Sequence, residues 1–472
     1  MRVLGIDLGT GSTKAAVVDD RGRVAGRGAA PHRVEHPVPG AAEIRPDAWL
    51  VSVAAAVGDA LDQAGGAPVD AVGLSGQMHG VVCADAAGSP LRPALLWPDV
   101  RATAASARYA DLPPAVRRTL GNPPVPGMFG PLLTLATADD PTLRRRTAWA
   151  LTPKDWLRLA LTDAPATEPS DASATLLWDV PADTWSPAVL ELLDIPAGWL
   201  PPLTASSSVA GTLSGDGADL LGLPTGTPVA AGAADTAAAL HGSRPGVGGT
   251  QLSVGTGGQI VVPLSDPTLA DLPVTHRYRT ATASGWYAMA AIHNAGLALE
   301  WVRDVLHAGW DEVHSALDVV APGADGVTFH AYLTGERTPV LDPHARAAWQ
   351  GLALRHDRAT LLRAALEGVA FALRDGMQAL LDDGIAIGTV RLVGGGTDDP
   401  RWRALLATAL DRPLLVQRLR DASVLGAARL AAEALGGDVA TEDDATDVVR
   451  PDPTTSAALM SAWHRWQRRR PP

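Results

Sequence analysis

The chain opens on two short apolar runs, Val3-Leu4-Gly5-Ile6 and Ala15-Ala16-Val17-Val18, separated by Asp7-Leu8-Gly9-Thr10-Gly11-Ser12-Thr13-Lys14. Runs this short around a glycine-rich connection predict a β-hairpin. Asp19-Asp20-Arg21-Gly22 predicts a second tight turn, and a third strand follows over 23–28. Between 46 and 63 the apolar residues Leu50, Val53, Val57 and Leu61 recur at helical spacing, and Gly65-Gly66 stops the run. Residues 69–74 predict a strand running straight into Ser75-Gly76-Gln77-Met78-His79-Gly80, and 81–84 with 95–101 predict a second hairpin. Strands and helices in this order make an α/β fold whose strand ends face one edge.

Residues 102–230 are rich in Pro and Ala and predict helices and long loops. Leu151-Thr152-Pro153-Lys154-Asp155-Trp156-Leu157 starts a short helix, while Ser170-Asp171-Ala172-Ser173 is expected to be a loop with converging polar groups. A strand over 229–232 leads into Ala233-Ala234-Asp235-Thr236-Ala237-Ala238-Ala239-Leu240. Residues 250–262 then repeat the opening device: strand, Gly255-Thr256-Gly257, strand. Two such hairpins suggest a duplicated fold facing one cleft, here divided into 1–244 and 245–472. Over 360–383 a helical stripe of Leu362, Leu366, Val369, Leu373, Met377 and Leu380 reads as core. Residues 390–393 form a strand that feeds Gly394-Gly395-Gly396, with a helix from about residue 400.

The connections carry the chemistry. In the first turn, glycines allow close approach of a ligand, and free N–H groups, three hydroxyls and the Lys14 ammonium suit an oligophosphate. Asp7 supplies the hard carboxylate oxygen that Mg²⁺ on a nucleotide prefers. The plainer reading is a hairpin whose hydroxyls cap their own turn. Asp235, taken locally, is a helix N-cap before Ala-Ala-Ala-Leu. The turn after 390–393 places N–H donors and a helix dipole against anions or nucleotides.

With 46% hydrophobic and 19% charged residues, the 472-residue composition is that of a globular protein too long for one core. A net charge of −12 argues against nucleic acid or anionic membrane as partners. Cys83 is the one cysteine, so no intrachain disulfide forms, and a reducing compartment fits. The first apolar run is broken by Asp7, unlike a signal peptide, and no apolar stretch reaches 18 residues. A cytoplasmic location is expected.

In order and spacing these motifs resemble those of the FGGY carbohydrate kinases. The similarity runs from Asp7 to about Ala432, through Ser75-Gly76-Gln77-Met78-His79-Gly80, residues 97–101, Leu151-Thr152-Pro153-Lys154-Asp155, Pro169-Ser170-Asp171-Ala172-Ser173 and Tyr332-Leu333-Thr334-Gly335-Glu336-Arg337-Thr338-Pro339. It implies the two-domain actin–hexokinase architecture, a ribonuclease-H-like duplicated α/β fold with an interdomain cleft. It implies ATP as donor, Mg²⁺ as its ion, and a small sugar as acceptor, most like D-xylulose; homodimers are common among relatives. By the same resemblance Asp235 is the general base and shares the metal with Asp7. Gly9, Thr10, Gly11, Ser12, Thr13 and Lys14 meet the phosphates with Gly255, Thr256 and Gly257. Gly395, Gly396 and Thr397 lie along the nucleotide, and Gln77, Met78, His79 and Thr236 face the sugar. Six positions in four motifs depart from the family pattern: Thr236 for Asn, Pro98 for Asn, Gly257 for Ser, and Thr397-Asp398-Asp399 for Ala-Arg-Ser. Another ketose or a polyol as substrate, or a sugar-sensing relative without turnover, are the alternatives.

Overall fold

The computed structural model describes residues 1–66, 68–138, 140–246, 248–417, 421–440 and 445–470. Two seven-stranded sheets organise it. In the first, Arg2–Leu8, Ser12–Asp19 and Val24–Pro31 run as an antiparallel meander from the centre to one edge. Ala71–Gly76 joins Arg2–Leu8 in parallel on the other side, followed by Pro228–Ala230 and Val209–Thr212. The second sheet repeats the scheme. Thr250–Val254, Gly258–Leu264 and Trp286–Ile292 form the meander, and Val390–Val393 then Leu414–Gln417 extend it in parallel. The duplication expected from the two Gly-Thr-Gly turns is therefore present at the level of strand order.

Apolar periodicity produced the main helices. Helix Pro46–Gln63 buries Trp49, Val53, Ala56, Val57 and Ala60 against the first sheet. Helix Arg358–Asp382 has Asp357 as its N-cap and buries the whole stripe from Leu362 to Leu380 in the second core. The region 102–230 alternates short helices with loops and short strands, and Ser170 lies in a one-turn helix, Pro169–Ala172, rather than in a loop. Its N-cap, the buried Glu168 carboxylate, accepts from the N–H groups of Ser170 and Asp171.

The expected hairpin 81–84 with 95–101 is different in the structure. The turn Asp85–Ser89 forms as expected, with the Asp85 carboxylate accepting from Ala87 and Ser89, and Ala84 and Val81 face Pro90 and Leu95 in isolated bridges. The extended pairing of Val82–Ala84 is instead with Trp149–Leu151.

One helix ties the halves together. Ala422–Ala434 follows the second sheet, yet lies on strands Arg2–Leu8 and Ala71–Gly76 of the first and on helix Asp235–Ser243. The approach is close because the contact residues are glycines. A Cβ on Gly5 would fall 2.2 Å from the Val424 carbonyl oxygen, one on Gly73 1.9 Å from that of Ala427, and one on Gly426 1.8 Å from that of Ala238. The last helix, Pro453–Arg468, stays with the second half, where Trp466 Nε1 donates to the Phe329 carbonyl at 2.7 Å. Among the described residues, no helix is long and apolar enough to cross a membrane.

Candidate active site

The two strand-end carboxylates meet where that helix begins. Asp7 sits near the end of Arg2–Leu8. Asp235 opens helix Asp235–Ser243, directly after Ala233–Ala234, which pairs in parallel with Ser75 and Gly76. Both line a cavity of about 240 Å³ with Thr236, Gln259, Gly394 and Ser423, so both halves contribute to it. The N-cap position falls to Ala234, which makes no side-chain cap, and Asp235 is the first helical residue. Asp235 Oδ1 accepts from the Thr236 N–H at 2.6 Å and from the Thr236 hydroxyl at 3.1 Å. Asp7 accepts the Ser75 hydroxyl on Oδ1 and the Ser423 hydroxyl on Oδ2, each at 2.8 Å.

Burial, and then the negative charge of Asp7, push Asp235 up to about 7 despite the hydrogen bonds from Thr236. Burial also raises Asp7, and the hydroxyls of Ser423 and Ser75 and the charge of Lys14 only partly counter it. Two desolvated acids in one cavity are costly unless a cation joins them. Among the described residues no group of three or more His, Cys, Asp or Glu could hold a metal by itself. A divalent ion already carried by phosphate oxygens needs only one or two carboxylates, and this pair fits that demand.

The first turn is closed by the Gly9 N–H donating to the Ser12 carbonyl at 3.0 Å. Gln77, expected on the sugar, also braces this turn, its Nε2 donating to the Gly9 carbonyl at 3.3 Å. Thr10 Oγ1 accepts from Trp97 Nε1 at 2.8 Å. Gly11 is exposed and Ser12 partly so. The Thr13 hydroxyl does not face the cleft. It is fully buried and 2.7 Å from Ser52 Oγ on helix Pro46–Gln63, because strand alternation turns Thr13 to the face opposite Lys14. Lys14 Nζ is 2.8 Å from Asp421, an ion pair between the halves. Burial lowers the Lys14 pKa, but Asp421 and Asp7 outweigh it and leave it raised.

In the second turn Gly255 and Thr256 are exposed, and their carbonyls accept from Gly296, Ala295 and Leu297 at the start of helix Gly296–Val305. Together with Gly257 they line a cavity of about 1030 Å³ that also holds Trp97, His293 and Arg337. In the third turn Gly395–Thr397 forms a single 3₁₀ turn after Gly394 at φ 101°. A Cβ on Gly396 would come 2.7 Å from the Val254 carbonyl oxygen, so this turn needs glycine to reach the neighbouring strand. Thr397 is buried and donates to the Gly394 carbonyl at 3.2 Å, so its hydroxyl serves the turn. Asp399, an unexpected acid here, is the N-cap of Pro400–Leu410 and pairs with Arg401 at 2.7 Å.

On the sugar side Met78 and His79 are buried. His79 has φ 72°, a left-handed conformation that a β-substituted residue adopts only under constraint, at the point where the strand must aim its imidazole. Its Nδ1 lies 2.8 Å from the Ala174 carbonyl. A carbonyl only accepts, so Nδ1 carries the proton and Nε2 is the acceptor. Burial, then the positive charge of Arg337, hold His79 at about 3, so the ring is neutral.

Ser75, Ser423, Asp421 and Gln259 were not among the expected site residues. Ser75 was accessible in principle, since it ends the strand parallel to Arg2–Leu8 and registers with Asp7. Ser423 and Asp421 gave no local signal; they lie more than 400 residues from the groups they bind.

Residues 2–242 match the N-terminal domain of the FGGY family of carbohydrate kinases, and residues 251–435 its C-terminal domain. The chain is 34% identical over 437 residues to the xylulose kinase of Escherichia coli (strain K12), covering 91% of this chain and 89% of that one. A crystal structure described as a "xyloylose kinase" from Brucella ovis matches with a TM-score of 0.91 at 32% identity, over 99% of this chain and 98% of the other. The xylulose kinase structure from Rhodospirillum rubrum gives 0.89 at 27% identity, over 99% and 98%.

Proposed function

The chain belongs to the FGGY family of carbohydrate kinases, and from that premise we propose that it transfers the γ-phosphate of ATP to the primary hydroxyl of D-xylulose, giving D-xylulose 5-phosphate. The observation that carries this reading is the meeting of Asp7 and Asp235 in one cavity built by both halves. In this reading residues 1–244 supply the main sugar contacts and the first phosphate turn, and residues 245–472 supply the nucleotide site.

Phosphoryl transfer asks the protein for position and charge neutralisation more than for covalent chemistry. Asp235 Oδ1 is occupied by Thr236, so Oδ2 is the oxygen that accepts the proton of the attacking hydroxyl. A carboxylate near 7 is well matched to that task at neutral pH. Asp7, fixed by Ser75 and Ser423, would hold Mg²⁺ with Asp235. When bound, Mg²⁺ neutralises the β- and γ-phosphate oxygens. With the Gly9 and Gly255 N–H groups closing their own turns, the backbone N–H groups of Thr10 and Gly11 and of Thr256 and Gly257 are the ones left for phosphate, and Lys14 adds its charge. Neutral His79 offers Nε2 to a sugar hydroxyl, with Met78 packed beside it.

Thr236, which reaches Gln259 Oε1 at 3.5 Å and presents no amide, is the observation that favours a second reading, another ketose or a polyol. A coupled ATPase assay against pentuloses, hexuloses and polyols tests both. D-xylulose should give the highest kcat/KM. Turnover of a different sugar with none on D-xylulose would retain the kinase and overturn the substrate.

A further inference from the structure

The loop Gly335-Glu336-Arg337-Thr338 is fixed by hydrogen bonds to residues 291–294 as well as within itself. The Glu336 carboxylate accepts from the His293 N–H at 2.6 Å and the Arg337 N–H at 2.8 Å, and Asn294 Nδ2 reaches it at 3.3 Å. Asn294 also donates to the Gly335 carbonyl at 2.6 Å, and the Thr338 N–H donates to Ala291 at 2.9 Å. These bonds lock the backbone on either side of Arg337 to strand Trp286–Ile292 and its exit. The side chain is treated differently. Its guanidinium lies over the Trp97 ring, 4.9 Å from the centroid, and among the described residues it donates no hydrogen bond.

Five N–H donors held against an indole, with the one neighbouring carboxylate already spent on backbone amides, leave a charged group whose acceptors must come from elsewhere. Arg337 lines the cavity that contains Gly255, Thr256 and Gly257, and also a second cavity of about 470 Å³ beside it. The first of these cavities also holds Ser253 and Gln259, which line the Asp7–Asp235 cavity as well, so the guanidinium opens onto the same cleft. Its charge bears on His79, His293 and Tyr278, each neutral in the fold. Neutral imidazoles and an unpaired planar donor suit an uncharged ligand dense in oxygen acceptors.

We infer that Arg337 is a sugar-specificity residue supplied by the second half of the chain, donating its guanidinium fork to adjacent carbonyl and hydroxyl oxygens of the bound ketose. This rests on the ketose-kinase reading above and names how that site tells a ketose from a polyol. The planar fork pairs with two oxygens at once; a C2 carbonyl accepts in its own plane, whereas the hydroxyl that replaces it in the corresponding polyol is set tetrahedrally and brings a proton that needs an acceptor of its own. Because Trp97 also holds Thr10 of the first phosphate turn, the residue that reads the sugar is stacked on the residue that braces the phosphate site.

The test is Arg337→Met, which keeps the stem over Trp97, and Arg337→Lys, which keeps the charge without the fork. Loss of a charged hydrogen bond should raise the KM for D-xylulose roughly 10–100-fold in Arg337→Met, with ATP KM within about twofold. Calorimetric titration of D-xylulose without nucleotide should show the same loss of affinity. The preference for D-xylulose over xylitol should fall, and Arg337→Lys should recover only part of it. Melting temperatures of both variants control for folding. An unchanged sugar KM in a folded Arg337→Met variant overturns the inference, as does a rise in ATP KM in its place, which would assign the guanidinium to phosphate. Wild-type protein that does not turn over D-xylulose defeats the underlying reading instead, a result separate from either.

Discussion

Replacing Asp235 by Asn should cost turnover and raise stability in the same molecule. The fold holds this carboxylate at about 7 rather than 3.8, chiefly through burial and then through Asp7. A difference of that size corresponds to at most ~4 kcal/mol against the folded protein when the group is ionised. Water reaching the open cleft screens part of it, so ~1–3 kcal/mol is expected. The direction with pH follows from which state binds the proton. Below about pH 4 both folded and unfolded chains carry it, and the substitution should change little. Between about 4 and 7 the unfolded chain ionises first, and the penalty grows as pH rises. Above about 7 it is complete, and Asp235→Asn should then show its full gain. Asn keeps an oxygen for the Thr236 N–H, so the helix start is preserved. The assay is the melting temperature of wild type and variant without ligands at pH 5 and pH 8, beside kcat at pH 8. The gain should be larger at pH 8, and kcat should fall roughly 10²–10⁴-fold. A pH-independent difference, or a less stable variant at pH 8, would refute the electrostatic argument. Turnover within a few-fold of wild type would refute the role as base.

Asp7→Ala should lower turnover and raise the Mg²⁺ concentration for half-maximal rate at least roughly tenfold, a loss seen even for outer partners of a metal; an unchanged Mg²⁺ titration would leave Asp7 a purely structural acid. Thr236→Asn should improve kcat/KM on D-xylulose by supplying an amide beside Asp235, and abolished activity would show that Thr236 is tuned to a different substrate. Gly426→Ala should destabilise the protein by ~1–3 kcal/mol or more, because its Cβ would lie 1.8 Å from the Ala238 carbonyl oxygen; an unshifted melting temperature would argue against this helix contact.

Elements whose signal is local were legible in the sequence, and contacts between distant segments were not. Helix Pro46–Gln63 matches its predicted span, and the stripe from Leu362 to Leu380 is buried throughout, because burial of one helix face is written every third or fourth residue. The glycine turns at 9–11, 255–257 and 394–396 were visible for a similar reason: chain reversal and close approach restrict residue type at single positions. Thr13 was misassigned within a correctly predicted hairpin, since composition marks a hydroxyl but only register says which face it takes. The partner of Val82–Ala84 was likewise out of reach, for strand Trp149–Leu151 lies well over fifty residues on.

Helix Ala422–Ala434 is the deepest case, and it explains why the catalytic geometry was harder to see than the catalytic residues. Its contact surface is mostly Gly and Ala, with Val424 and Leu430, which in sequence reads as an ordinary alanine-rich helix with a mildly unfavourable glycine. In the fold those same small residues let backbone touch backbone across the halves, with Gly5 and Gly73 answering from strands Arg2–Leu8 and Ala71–Gly76. The strand that ends in Asp7 and the helix that starts at Asp235 are thereby set against one element, whose first turn delivers Ser423 to Asp7 and whose preceding residue, Asp421, takes Lys14. A bulky side chain at Gly426 would drive helix Asp235–Ser243 away from this element while the strand of Asp7 stayed against it, so the spacing of Asp7 and Asp235 depends on the absence of atoms there as much as on the carboxylates themselves.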